Sequence, residues 1–199
     1  MTVNARIGTL VSVAVSHSSF APAIRIGAVV LSVVLTAAAA QVSMSLPFTP
    51  VPVVLTPLVV LLSGAALGSR LGAIAQITYI LAGVVGLPVF APSAQLPPGA
   101  MRLFGPTGGY LLAYPLAAFL TGYLAERGWD RRYLTSVACM LAGLAVIFAG
   151  GVSWLVASVT HSIAGALTLG LRWFIVLDVL KVLLAAAILP QAWRLAGRR

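Results

Sequence analysis

Six windows of about 20 mostly apolar residues follow one another along this chain, at approximately 24–46, 51–68, 70–90, 103–125, 134–157 and 169–193. In hydrocarbon a backbone must satisfy its own polar groups, so windows of that length are read as membrane-crossing helices. Composition agrees. The chain is 61% hydrophobic and 8% charged, more apolar than a 199-residue soluble domain requires. The expected fold is all-α: one polytopic membrane domain over 1–199, with six transmembrane helices behind an N-terminal lead-in at 1–22. The short second and third windows are joined by Gly68-Ser69-Arg70-Leu71-Gly72, which predicts a tight helical hairpin.

Basic residues set the orientation. Six spans place Arg6, Arg25, Arg70, Arg127, Arg131, Arg132, Arg194, Arg198 and Arg199 on one side, and Arg102 and Arg172 on the other. The arginine-rich side is expected to be cytoplasmic, with both termini inside. This layout puts Trp129 and Trp193 at cytoplasmic ends and Trp154 and Trp173 at outer ends, where an aromatic belt belongs. The net charge of +9 is scattered among apolar spans, so it is read as topology and not as a nucleic-acid surface. Arg6 followed by Ile7–Val15 has the outline of a signal peptide, which if cleaved would invert this orientation. We read it as a retained, partly amphipathic lead-in.

Asp178 and Lys181 lie within the last window, where a charge is costly and normally faces a partner or a polar cavity. At i, i+3 they share a helix face. With the helix starting near 169, Asp178 falls about nine residues, or roughly 13 Å, into the span. The pair marks a ligand or ion site, or alternatively a self-neutralised pair that locks the last helix.

Two connections are not ordinary helix. Leu46–Val53 carries three prolines in six residues and is expected to be a stiff apolar loop, either a rigid turn or a cover. The segment from Gly86 through Arg102 is long for a connection. It leads into Gly105-Pro106-Thr107-Gly108-Gly109-Tyr110, irregular backbone suited to a pocket wall with Thr107 and Tyr110 as its polar groups. Gly64, Gly68 and Gly72 repeat every four residues and predict close helix packing, within the bundle or with a partner; Ala28/Ser32 and Thr36/Ala40 are similar but weaker pairs.

Absences narrow the chemistry. The sequence has no HExxH, no Walker motif, no Cys/His metal spacing and only three acidic residues, so catalysis and ATP use within this chain are not expected. Glu126 and Asp130, in the arginine-rich loop, read as surface pairing. His17 and His161 read as interface residues, and Cys139 lies alone in an apolar run.

These segments together resemble the BioY family, the biotin-specific S component of energy-coupling-factor (ECF) vitamin transporters. The resemblance rests on PFTPVPV (47–53), LLSGAALGSRLG (61–72), GLPVFA (86–91), GPTGGYLLAY (105–114) and Asp-x-x-Lys at 178–181. It implies a six-helix outward-open bundle in the bacterial inner membrane that binds biotin and needs no cofactor or metal. It also implies a separate transmembrane T protein and ATP-binding cassette ATPase subunits as partners, contacted through small residues of the first helix. Asp178 and Lys181 match the family's last-helix pair. An ionised Asp can only accept and Lys only donate, so Asp suits the ureido N–H groups, while the end of biotin that Lys181 meets stays open. Phe48 and nearby prolines, and part of the 88–104 segment with Arg102, match the family's capping loops and join Tyr110 and Thr107 as binding candidates. Where the family often has an amide and a glycine-rich stretch, this chain has Pro92-Ser93-Ala94-Gln95-Leu96-Pro97-Pro98, and Gln95 is carried over as the amide. The reading from a different class is a stand-alone secondary carrier that uses the Asp178 carboxylate as a proton relay. A third is a structural membrane protein whose charge pair only orients helices.

Overall fold

The computed structural model describes residues 8–16, 20–93 and 96–196. Helix α1 (Leu10–Ser16) forms the lead-in and packs on α2 (Ala21–Gln41) and on two later helices, α3 (Thr56–Leu67) and α9 (Ile175–Ala196). The remaining helices are α4 (Ser69–Val84), α5 (Met101–Phe104), α6 (Gly108–Ala125), α7 (Tyr133–Leu155) and α8 (Ile163–Leu167). A π-helical turn, Val156–Thr160, extends α7, and a second, Thr168–Arg172, follows α8. Among the described residues, four helices are long and apolar enough to cross a membrane: Ala21–Gln41, Gly108–Ala125, Tyr133–Thr160 and Ile175–Arg194. The protein is therefore a multi-pass, mostly helical membrane protein.

The expectation of an all-α fold needs correction. The proline-rich connection is an antiparallel hairpin of β1 (Ser43–Leu46) and β2 (Thr49–Val54), in register Ser43↔Val54, Met44↔Val53 and Leu46↔Thr49 with an irregularity between Met44 and Leu46. Pro50 and Pro52 share one parity in β2, so their missing N–H groups fall on one edge of the strand, where proline is tolerated. The hairpin takes residues from both flanking windows. Helix α2 ends at Gln41 instead of 46, and α3 starts at Thr56 instead of 51. Helix α3 is left with 12 residues, about 18 Å, well short of a ~30 Å hydrocarbon core.

Helix α6 is the centre of the bundle, packed against α3, α4 and α7, with Ala117, Ala118, Thr121 and Ala125 fully buried. The glycine stripe is used inside the chain. A Cβ on Gly64 would lie 2.5 Å from the Ala118 carbonyl oxygen, one on Gly72 2.9 Å from Gly64 Cα, and one on Gly122 would collide with the backbone of Gly68. Gly68 itself turns the α3–α4 connection at φ +92°, a conformation open to glycine. The small residues Ser32, Thr36 and Ala40 of α2 also face inward. There the fully buried Gln76 donates from Nε2 to Ser63 Oγ (3.1 Å) and Thr36 Oγ1 (3.4 Å), joining α2, α3 and α4.

The two loop carboxylates are not surface pairs. Glu126 Oε1 accepts from the Ser69 backbone N–H at 2.8 Å and from its hydroxyl at 2.9 Å, placing negative charge on the N-terminus of α4. Asp130 is fully buried and accepts from Trp193 Nε1, while the Arg131 guanidinium lies 3.3 Å over the Trp193 ring and donates to the Gly8 carbonyl. Burial raises the Asp130 carboxyl above the ordinary carboxylate range, and Trp193 and Arg131 hold the rise in check. His161 closes the first π-turn with a left-handed φ of 50°; His17 lies outside the described residues.

Candidate binding cavity

At the end of the bundle where the hairpin sits, the backbone opens around a cavity of about 260 Å³. That is near the lower end of small-ligand pockets, roughly 300–1,000 Å³. Its walls come from the hairpin, the starts of α3 and α6, residues 90–93 and Leu96, α7 and the start of α9. Most of the lining is apolar or aromatic: Leu46, Val51, Phe90, Leu111, Phe148 and Phe174 are examples. Among the described residues, two charged side chains line it, Asp178 and Arg102.

Asp178 is 7% exposed and sits in the first turn of α9, because the preceding residues form the π-turn instead of continuous helix. This corrects the expectation of an Asp nine residues into an unbroken span. A helix N-terminus favours a carboxylate, so the break supplies part of what a buried charge needs. Lys181 supplies the rest, donating from Nζ to Asp178 Oδ1 at 2.7 Å and to the Val54 carbonyl at 2.8 Å. Lys181 does not line the cavity. It ties α9 to the base of the hairpin, fixes one oxygen of Asp178, and leaves Oδ2 without a protein partner among the described residues.

Arg102, on the short helix α5, donates from Nε to the Pro97 carbonyl and from Nη1 to the Ala91 carbonyl, both at 3.0 Å. It thereby ties Ala91 to Pro97, with Nη2 unengaged by the described residues. Gln41 performs the matching task from the end of α2, donating to the carbonyls of Pro88 (3.1 Å) and Phe90 (3.2 Å).

Tyr110 and Thr107 line the cavity, but their chemistry differs. The Tyr110 hydroxyl donates to the Gly170 carbonyl at 2.7 Å, and its ring fits against Gly151, so it is a wall whose donor is already committed. Thr107 is half-buried and its hydroxyl has no partner among the described residues. The GPTGGY segment achieves this placement by close approach. A Cβ on Gly109 would meet the Gly150 carbonyl and Trp154, and Trp154 Nε1 donates to the Gly105 carbonyl at 2.9 Å. Phe48 lies at the hairpin tip outside the cavity lining, 49% exposed, with its ring centroid 4.7 Å from that of Trp173. Gln95 lies outside the described residues.

Reasoning from sequence missed Thr49, Tyr79 and Tyr114. Thr49 donates to the Leu169 carbonyl at 2.8 Å, and Tyr79 to the Val89 carbonyl at 3.1 Å. Tyr114, 4% exposed, lines the cavity. The single available signal was Tyr114's place at i+4 from Tyr110, which puts both rings on one face of α6.

A helical membrane bundle with one carboxylate and one guanidinium in an otherwise apolar cavity at one end has the build of a membrane protein that captures a small solute. The family model described as the BioY family matches residues 7–198, and the chain belongs to that family. Among curated proteins it is 40% identical over 155 residues to a biotin transporter BioY of Thermotoga maritima, covering 78% of this chain and 88% of that protein. It is 41% identical over 169 residues to a probable biotin transporter BioY of Pyrococcus horikoshii, covering 85% and 94%. Its fold is like that in the 2.1 Å crystal structure of the S-component for biotin from an ECF-type ABC transporter. There the TM-score is 0.79 at 21% identity, over 89% of this chain and 94% of that one.

Proposed function

We propose that this protein is the biotin-capturing subunit of an uptake transporter. The observation that carries the reading is the polarity of the cavity: one carboxylate, one guanidinium and apolar walls between. Biotin has the complementary chemistry, with two N–H donors on a ureido ring, an apolar thioether ring and chain, and an anionic tail. Asp178 Oδ2 accepts from a ureido N–H. Arg102 receives the tail carboxylate through its unengaged Nη2, a charge-assisted contact. Lys181 holds Asp178 Oδ1 at 2.7 Å and so aims the carboxylate. The hairpin, residues 91–93 and Leu96 cover the cavity, and Thr107 lines it.

The same reading places six crossings in the bilayer. The short α3 is completed by the hairpin, α4 makes the third crossing, and both termini and the arginine-rich loops face the cytoplasm of a bacterial inner membrane. The chain is not an enzyme and uses no cofactor. Energy comes from separate ATPase subunits through a transmembrane T protein. The alternative is a stand-alone carrier using Asp178 as a proton relay, which uptake into proteoliposomes under an imposed pH gradient, without partner subunits, would favour. The test is binding of labelled biotin to the purified protein in detergent, with riboflavin and thiamine as controls. Saturable one-to-one binding of biotin alone is expected. Well-folded protein that binds no biotin would overturn the assignment.

A further inference from the structure

The segment Pro88–Ala91 is neither helix nor strand, and its four consecutive carbonyls all accept hydrogen bonds from side chains. Gln41 Nε2, at the end of α2, donates to Pro88 (3.1 Å) and Phe90 (3.2 Å). Tyr79 of α4 donates to Val89 (3.1 Å), and Arg102 of α5 to Ala91 (3.0 Å). An amide nitrogen carries two hydrogens, so Gln41 has one for each carbonyl. Its approach to the Ala37 carbonyl in its own helix is longer, at 3.5 Å. The tethers are not equivalent. Tyr79 is fully buried and its ring meets that of Phe90 edge-on, with centroids 5.5 Å apart, so the inner bond is shielded. Gln41 is exposed, and water competes for both of its bonds. Bonds of that kind belong to segments that open locally while the rest of the fold stays intact.

The segment also separates two spaces. On its inner side is the binding cavity. On the other is a second, more open recess of about 560 Å³ whose lining includes Gln41, Leu87 and Pro98. Phe90, Pro92, Ser93, Leu96 and Arg102 line both spaces and form their common wall. Phe90 is the buried member of that wall, and its ring fills the space beside Gly83, where a Cβ would collide with it. Gln41 lines the recess and not the cavity, so it holds the wall from outside without reaching a bound solute. We propose that Gln41 is the latch of this wall: its two bonds keep residues 88–90 closed over the cavity, and their breaking opens the passage by which solute moves between recess and cavity. The assignment rests on the biotin reading above for its solute and adds a positioning residue to it. Because the bonds run between protein groups alone, they weigh equally on the empty and the filled cavity. The latch therefore sets how fast the cavity opens and not what it recognises.

The experiment measures association and dissociation rates of labelled biotin for the wild type, Gln41→Met and Gln41→Glu. Alongside, hydrogen exchange is followed at the amides of Val89, Phe90 and Ala91 in the unliganded proteins. Gln41→Met keeps the length of the side chain and removes both donors. It is expected to speed entry and release alike, each by about 10-fold, with the equilibrium affinity nearly unchanged and exchange at 89–91 faster. Gln41→Glu, which sets an acceptor against the same two carbonyls, should go further the same way. Unchanged rates in both variants would overturn the proposal. So would faster release with unchanged entry, since Gln41 would then favour the filled state alone, and so would altered rates without faster exchange at 89–91. A wild type that binds no biotin would instead overturn the functional reading, and the latch's role in solute exchange with it.

Discussion

The two ends of this bundle are built from the same helices but held together by different means. At the end where α3 turns into α4, backbone meets backbone: Gly64 against Ala118, Gly72 against Gly64, and Gly122 against Gly68. Its loose ends are closed by Glu126 on α4 and by Asp130 against Trp193. At the cavity end the helices are interrupted by the hairpin, two π-turns and the 85–107 connection. There, side chains from neighbouring elements donate to the carbonyls those interruptions leave free: Thr49 to Leu169, Tyr110 to Gly170, Lys181 to Val54, Trp154 to Gly105, Arg102 to Ala91 and Pro97. Irregular backbone at membrane depth is tolerated only when such partners exist. One end therefore resists substitution through steric contact, and the other is a set of individually replaceable bonds around a space.

The sharpest way to break this contrast is a branched side chain at the tight end. Gly122→Val sets side-chain carbons into the backbone of Gly68 and Ser69, neither of which can yield cheaply. Overpacking of this kind costs about 1–3 kcal/mol or more, and the variant is expected to give no monodisperse protein on size exclusion in detergent. If it purifies normally and loses only ligand binding, the two ends are not mechanically distinct.

A smaller effect is expected at Asp130. Burial raises its carboxyl in the folded state, so the fold holds that proton more tightly than the unfolded chain does. Its contribution to stability is fully present below the ordinary carboxylate range and is lost as pH rises through the raised value. Asp130→Asn should flatten that fall in melting temperature with pH, at a cost of about 1–2 kcal/mol from the weakened bond to Trp193, and leave biotin affinity unchanged. An identical pH profile would remove Asp130 from the account.

The smallest effect is expected at the hairpin tip. Thr49→Val leaves the Leu169 carbonyl without its donor, a loss of about 1 kcal/mol. A cold-chase experiment should show biotin leaving up to about five times faster, alongside a small fall in the unliganded melting temperature. A changed melting temperature with unchanged release would mean that the tip contact holds the fold and does not cover the cavity.

The sequence made the membrane class legible because apolar length is a strong signal, and it made Asp178 legible because a charge in such a window has few explanations. The Gly64/Gly68/Gly72 spacing carried close packing equally well, although which helix it met was not written in it. The hairpin was hidden by its own prolines, which argue against strand unless they share an unpaired edge. Neither π-turn has a sequence signature, so the depth of Asp178 was misread by the length of the turn before it. Phe48 and Lys181 show the limit of motif reasoning. The motif gives their neighbourhood, but the hairpin decides that Phe48 meets Trp173 outside the cavity lining and that Lys181 faces Val54. Tyr114 was lost among the apolar residues of α6, since whether a hydroxyl is committed depends on carbonyls far away in sequence.

The central claim is that the Asp178–Lys181 pair is the polar anchor of the cavity. It is tested most directly by measuring biotin affinity and unliganded melting temperature on one preparation of Lys181→Ala. Without Lys181 the Asp178 carboxylate loses its countercharge and the donor that fixes Oδ1. The prediction is a loss of biotin affinity of at least about 100-fold, in line with the 3–5 kcal/mol for unpairing a buried charge, in protein that still purifies as a folded, monodisperse species. Biotin bound as tightly as by the wild type would contradict the account.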